Sequence, residues 1–195
     1  MVRLLVASAL VIAASQALGG CVGEDVPDYR PLELDYLSQS VFEPSCGAAQ
    51  CHSTFKQSLG YVFDTPEAVR STIVNNQLIS LDPRQYDPDD ATHAPLITWI
   101  TQPFPFLAKD PSGAYIGRMP ADAPLPNRDV ELLIEWIQHR APGAQCNPDL
   151  GGGKSCTVDS SGRQVVANCK SDWNFDLTTA VPCGSGKTCV AGMCQ

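Results

Sequence analysis

The sequence predicts a mainly α-helical body with long loops, followed by a small disulfide-rich module at the C-terminus. Apolar residues recur at helical spacing at several places between residues 32 and 139, whereas the alternation typical of strands is scarce. Six of the nine cysteines lie between residues 146 and 195. We therefore divide the chain into residues 1–20, 21–31, 32–145 and 146–195.

The first twenty residues are typical of a signal peptide. Arg3 precedes an apolar run from Leu4 to Leu18, which is shorter than the ~20 residues that a membrane-spanning helix needs. The sequence Leu18-Gly19-Gly20-Cys21 resembles the lipobox of bacterial lipoproteins. This resemblance implies that residues 1–20 are removed and that Cys21 is lipidated. An ordinary signal peptide, with Cys21 as a free thiol, is the alternative.

The charge of the chain limits its partners. The formal net charge is −8, and it becomes one unit more negative when the segment that contains Arg3 is removed. An acidic chain argues against a nucleic-acid partner, so we expect membrane contact through the lipid anchor alone. Residues 21–31 are predicted to be a polar linker. Val22, in place of the Asp that retains lipoproteins at the inner membrane, favours the outer membrane over the periplasmic face of the inner membrane.

Four helices are predicted in the body, in chain order: Leu32 to about Phe42, Pro66 to about Val74, Leu96–Ile100, and Arg128 to about His139. Thr65 and Asn127 are the expected N-caps of the second and fourth helices. Loops are expected over residues 81–93 and 102–126, because both stretches are rich in proline.

The segment Cys46-Gly47-Ala48-Ala49-Gln50-Cys51-His52 is the strongest chemical motif. Covalent haem attachment needs two thiols and a neighbouring histidine, usually as Cys-x-x-Cys-His. Here two further residues separate the thiols, and small side chains allow the loop to bulge. The alternative is a Cys46–Cys51 disulfide with His52 exposed.

A second axial ligand for haem iron is expected from Met119, which lies in the proline-rich stretch. A thioether is a soft ligand, and His/Met ligation raises the reduction potential. His93 is the alternative ligand and would give a site of lower potential. Trp99 and Trp136 are candidates for the wall of the pocket.

With these motifs, residues 37–143 resemble a small bacterial class I cytochrome c. The matching pieces are Val41 to Cys46, Cys51-His52, Arg118-Met119-Pro120 and Glu135-Trp136-Ile137. The resemblance implies a cytochrome c-like helical fold with crossed terminal helices and one covalent haem c. It also implies thioether bonds at Cys46 and Cys51 and axial iron ligands at His52 and Met119.

The remaining cysteines form a dense group: Cys146, Cys156, Cys169, Cys183, Cys189 and Cys194. They resemble a short cysteine-rich repeat of exported bacterial proteins. A module of this size buries too little apolar surface to fold on its core alone, so we expect three disulfides. Six cysteines allow 15 pairings, which the sequence leaves open. Binding of a partner or a glycan, or simple spacing, are all compatible with this pattern.

Together these observations predict an exported, lipid-anchored electron carrier with one haem, and not an enzyme. Its redox partners are not identified by the sequence, and no nucleophile–base motif or nucleotide-binding fingerprint is present. The alternative is a non-enzymatic binding or scaffold lipoprotein in which Cys46 and Cys51 form a disulfide. A haem enzyme or sensor with a displaceable Met119 is a third hypothesis.

Overall fold

The computed structural model describes residues 27–79, 88–102, 119–120 and 123–195. The described residues form four short helices, followed by antiparallel strands in the cysteine-rich C-terminal region. The architecture is therefore mixed, and the prediction of a mainly α-helical, cytochrome c-like fold is wrong. The reason is that the small disulfide-rich module predicted at the C-terminus forms five antiparallel strands between residues 154 and 194.

Helix α1 starts with an α-helical turn, Leu34–Leu37, continues as a π-helical segment, Ser38–Phe42, and closes with Glu43–Ser45. Helices α2, α3 and α4 follow over Pro66–Asn75, Pro95–Thr101 and Asn127–Gln138. Short 3₁₀ segments lie at Ser58–Gly60, Pro88–His93 and Gly151–Gly153.

The helix boundaries follow from local chemistry. Thr65 caps α2 as predicted, because its Oγ1 accepts a hydrogen bond from the Ala68 amide at 3.2 Å. The predicted cap Asn127 is instead the first residue of α4, and Pro126 precedes the helix without a side-chain cap. That prediction was therefore wrong by one residue. The predicted loops 81–93 and 102–126 lie largely outside the described residues.

A single apolar cluster holds the four helices together. Its largest fully buried side chains include Trp136, Phe42 and Leu37. Trp136 is completely buried, and its Nε1 donates a hydrogen bond to the Pro142 carbonyl oxygen at 3.2 Å. Burial of this many apolar side chains is the main stabilising term for the helical part.

The C-terminal region contains two small sheets. Strands β1 (Lys154–Val158), β2 (Gln164–Cys169) and β3 (Phe175–Pro182) form an antiparallel sheet in the order β1-β2-β3. Strands β4 (Cys189–Val190) and β5 (Met193–Cys194) pair separately. The β2–β3 register is irregular between Val166 and Asn168, so part of β3 bulges away from the sheet.

All six C-terminal cysteines are paired, as predicted. The bonds join Cys146 to Cys169, Cys156 to Cys189 and Cys183 to Cys194, with Cα–Cα distances of 5.9, 5.6 and 5.3 Å. The second apolar cluster that the described residues form contains only Cys146, Ala167 and Phe175 as buried members. Covalent links therefore replace most of the apolar core here.

Hydrogen bonds join the helical part to the C-terminal strands. The Gly143 amide donates to Asn174 Oδ1 at 2.7 Å, and the Phe175 amide donates to Gln145 Oε1 at 2.9 Å. The division of the chain at residue 145 remains a prediction. No helix among the described residues is long and apolar enough to cross a membrane.

The chain before α1 is fixed to the helical part. Arg30 forms ion pairs with Asp28 and with Asp129 in the first turn of α4. Its guanidinium also donates to the Arg128 carbonyl oxygen at 2.9 Å. Arg30 holds the Asp28 pKa at about 2, because the hydrogen bond from its side chain favours the carboxylate. The end of the predicted linker therefore contacts the body.

Candidate functional site

A cavity of about 30 Å³ opens among the helices, and its wall is apolar. Its lining combines residues from three separate stretches of the chain: Cys46, His52, Leu59, Tyr61, Phe63, Leu96, Trp99, Ile100 and Met119. This volume has room for one or two water molecules, so a larger cofactor would need the side chains of the wall to move apart. Three of the residues predicted from the sequence, Cys46, His52 and Met119, thus line the same cavity.

The backbone between α1 and α2 brings the first two of these residues together. The Cys46 amide donates to the Phe42 carbonyl oxygen at 2.7 Å, which places the thiol at the end of α1. The His52 amide donates to the Cys46 carbonyl oxygen at 3.2 Å, and the Phe63 amide donates to the His52 carbonyl oxygen at 2.6 Å. The histidine is therefore held by backbone bonds on both sides.

Gly47 allows the segment to pack this closely. A Cβ atom at this position would lie 2.6 Å from the Phe63 carbonyl oxygen and 3.0 Å from Asp64 Cα. Both neighbours are backbone atoms, which cannot rotate away. The glycine after Cys46 is thus required by the approach of residues 63–64 to the loop that carries the thiols.

The imidazole of His52 is buried and has a defined orientation. Its Nδ1 lies 3.0 Å from the Ser58 carbonyl oxygen, and a carbonyl can only accept, so Nδ1 carries the proton. Burial lowers the His52 pKa and favours the neutral ring. In the neutral ring with the proton on Nδ1, Nε2 is unprotonated, which is the state of a histidine that ligates a metal.

Aromatic side chains enclose the imidazole and the cavity. The ring of Phe63 meets that of His52 edge-on at 5.5 Å between centroids, and Tyr61 lies at 5.9 Å. Tyr61 also stacks on Trp99 at 5.6 Å. These contacts connect the loop after His52 to helix α3, which forms the opposite wall.

Met119 reaches the cavity from a distant part of the sequence. Its amide donates to the Trp99 carbonyl oxygen at 2.9 Å, so helix α3 positions the residue beside the wall that it builds. His93, the alternative ligand, is exposed and is not among the cavity-lining residues. The structure therefore favours Met119 over His93 as the second side chain at this site.

The two cysteines of the motif differ in their surroundings. Both are free thiols; Cys46 is half-buried and lines the cavity, whereas Cys51 is exposed. Burial raises the Cys46 pKa to about 12, with a smaller contribution from the nearby Cys51. A raised pKa leaves less of Cys46 as thiolate at neutral pH, so Cys46 is the less reactive of the two thiols and Cys51 is the accessible one.

Several lining residues were not predicted from the sequence: Leu59, Tyr61, Phe63, Leu96 and Ile100. The alternation of Tyr61 and Phe63 after the histidine was a signal that could have indicated two rings on one face. Trp99 lines the cavity as predicted. Trp136 does not, because it is buried in the core. Cys21 and Arg118 lie outside the described residues.

Comparisons with known proteins found no relative: no protein-family model matches the chain, and no curated protein or solved structure is similar to it. The resemblance to a class I cytochrome c is wrong. Among the described residues, no group of three or more His, Cys, Asp or Glu side chains could hold a metal ion. The mixed architecture also differs from the mainly helical fold that the resemblance implied.

Proposed function

We propose that this chain is an exported, lipid-anchored electron carrier that binds one haem covalently through Cys46 and Cys51. The observation that carries the proposal is the meeting of Cys46, His52 and Met119 at one apolar cavity. Met119 lies 67 positions after His52 in the sequence, yet it shares the cavity with the thiol and the imidazole that covalent haem binding would use. The proposal concerns this site and does not assign the chain to a cytochrome family.

The residues fit such a cofactor in their chemistry. Haem iron takes four ligands from the porphyrin, so it needs no cluster of metal-binding side chains and draws at most two axial ligands from the protein. Burial lowers the His52 pKa and so favours the neutral ring, in which donation from Nδ1 to the Ser58 carbonyl oxygen would leave Nε2 unprotonated. Met119 supplies a thioether, and the aromatic and aliphatic side chains of the wall would pack against an apolar ring once they move apart to admit it.

When bound, haem would supply reversible one-electron exchange. The chain's own residues would set the conditions for this exchange. Cys46 and Cys51 would form the thioether links, and His52 would be held in one orientation by its hydrogen bond to Ser58. Met119 and the apolar wall would favour a high reduction potential. If His52 and Met119 both held the iron, no protein-side position would remain open for a substrate, which would favour a carrier over an enzyme.

The proposed anchor gives the carrier a short reach. Lipidation at Cys21 would tether the chain, and among the described residues Asp28 is the first that an ion pair links to the body, through Arg30. The seven intervening peptide steps span at most about 25 Å. Redox protein partners at the same membrane surface, outer or inner, would therefore meet the carrier most often. The acidic charge of −8 argues against nucleic acid.

The test is production of the full chain together with a cytochrome c maturation system. We expect one haem per chain by pyridine haemochrome spectrum and by intact mass after denaturation. Cys46→Ala/Cys51→Ala should lose all covalent haem. Cys183→Ala/Cys194→Ala, which removes the same number of cysteines from the C-terminal strands, should retain it.

The axial ligands are tested by a second pair of variants. Met119→Ala should lower the reduction potential and abolish the weak iron–sulfur band, whereas the matched variant His93→Ala should change neither. The proposal fails if the wild-type chain takes up no haem and its mass is two hydrogen atoms lower than that of a chain with three disulfides and free thiols at Cys46 and Cys51. The scaffold lipoprotein with a Cys46–Cys51 disulfide then replaces it.

A further inference from the structure

The loop between His52 and Phe63 presents the group that orients the histidine. Ser58, at its middle, supplies the carbonyl oxygen that accepts from His52 Nδ1. Most of the loop is exposed, including Phe55 at 85 %. Gln57 and Leu59 have positive φ values of 49° and 58°, which disfavours this conformation in an isolated chain. Other contacts must therefore fix the loop.

The base of this loop is closed by a pair of residues that we name the Thr54–Asp64 clasp. Asp64 Oδ2 accepts hydrogen bonds from the Thr54 amide at 2.6 Å and from Thr54 Oγ1 at 2.8 Å. These bonds join the two ends of the loop across ten residues. Hydrogen bonds to an ionised carboxylate are among the strong ones in proteins.

The other carboxylate oxygen, Asp64 Oδ1, is buried and has no hydrogen-bond partner among the described residues. Asp64 also packs its backbone against Gly47, which follows Cys46. The residue thus contacts both sides of the segment that carries the thiols and the histidine.

We infer that the Thr54–Asp64 clasp is a positioning device for the proposed haem ligand: it fixes the loop so that the Ser58 carbonyl holds His52 with Nε2 unprotonated. The inference rests on the proposed function for its purpose, although the geometry of the clasp is independent of it. Asp64 is a positioning residue, because it acts on His52 through the loop.

The experiment measures hydrogen exchange by NMR on the full chain as purified, reduced if it carries haem. The probes are the Phe63 amide, which donates to the His52 carbonyl oxygen, and the Nδ1–H of the His52 ring. Asp64→Ala should speed exchange at both about tenfold or more, because a clasp that is lost lets the loop open. Asp64→Asn keeps one carbonyl oxygen as an acceptor and should restore most of the protection.

Asp159→Ala is the matched control, because Asp159 accepts from the Ser161 amide and hydroxyl at 2.9 and 2.7 Å in the turn between β1 and β2. It should leave both probes unchanged. Amides of α4 should keep their exchange rates in every variant, which separates loop opening from global unfolding. If Asp64→Ala does not fold, Thr54→Val is used in its place. This variant removes only the hydrogen bond from Thr54 Oγ1 to Asp64 Oδ2 and should loosen the same loop less.

The two proposals can fail separately. The clasp is overturned, whether or not haem is bound, if exchange at Phe63 and His52 is unchanged in Asp64→Ala. It is also overturned if Asp64→Asn speeds exchange as much as Asp64→Ala does while Thr54→Val has no effect. If both probes respond but the chain takes up no haem, the clasp stands and the proposed function fails. In haem-loaded protein, Asp64→Ala should also raise the reduction potential, since a loosened Nδ1 bond makes the imidazole less basic.

Discussion

The two cysteine-bearing regions of this chain use the same residue in opposite ways. Between α1 and α2, Cys46 and Cys51 are only five positions apart and remain free thiols. In the C-terminal strands, six cysteines form three disulfides with sequence separations of 11 to 33 residues. Proximity in the sequence therefore does not decide which cysteines pair.

The difference follows from what holds each region together. The helical part has a large apolar core, so its structure does not need covalent links, and one of its two free thiols, Cys46, lines a cavity. The C-terminal strands have three buried residues in their own apolar cluster among the described residues. A region with so little core needs its cysteines for stability, and none is left for chemistry.

The largest expected effect is a difference in thiol reactivity, measured on full-length protein produced without haem attachment. At pH 8, iodoacetamide should modify Cys51 quickly. The rate of modification at Cys46 should be about a thousandfold lower than that of an ordinary thiol. The reason is that burial raises the Cys46 pKa from 9.0 to about 12. Reaction at Cys46 should accelerate as the pH rises toward 12.

Peptide mass spectrometry with timed quenching gives both rates. The six C-terminal cysteines are the internal control and should be modified only after reduction. Equal rates at Cys46 and Cys51 would contradict the burial of Cys46, and no reaction at either would indicate that they form a disulfide.

The next effect concerns the core of the helical part. Trp136→Ala should lower the free energy of unfolding by about 3–5 kcal/mol, because Trp136 is fully buried and its removal leaves a cavity. Denaturant unfolding followed by circular dichroism measures this loss. Trp173→Ala, in the half-buried turn before β3, is the matched control and should cost clearly less. Equal losses would mean that the two regions share one core.

Removal of one C-terminal disulfide should have an effect of similar or slightly smaller size. Cys156→Ala/Cys189→Ala opens a loop of 33 residues, for which the chain-entropy estimate is about 4 kcal/mol. Limited proteolysis should then cut first between residues 146 and 195. If the helical region is degraded at the same rate as these strands, the contrast between core-held and disulfide-held regions is lost.

The smallest of these effects is expected from a single methyl group at the loop that carries the thiols. Gly47→Ala should cost about 1–3 kcal/mol, because its Cβ would lie 2.6 Å from the Phe63 carbonyl oxygen. Gly184→Ala is the matched variant in the C-terminal region, since nothing lies within 4 Å of its Cβ position. Thermal unfolding of both variants measures the difference, and equal stability would contradict the close approach at Gly47.

Several elements could be predicted from the sequence because their signals are local. Thr65-Pro66-Glu67 indicated the start of α2, and Pro95 indicated the start of α3, as the structure has them. The strands could not be predicted in the same way. Residues 154–182 lack a strong alternating pattern, so the pairing of β1 with β2 and of β2 with β3 has no clear signal in the sequence. The pairing scheme of the disulfides was one of 15 possibilities.

The sequence by itself determined the inventory of the candidate site: two thiols, a histidine beside the second, and a methionine far along the chain. It also determined that the six C-terminal cysteines would form three disulfides. Only the tertiary structure decided that Cys46, His52 and Met119 share one cavity, and that Met119 lies there and His93 does not. The physical reason is that the spacing of residues fixes local hydrogen bonds, whereas the packing of α3 against the loop after His52 depends on contacts between distant side chains, such as Tyr61 and Trp99.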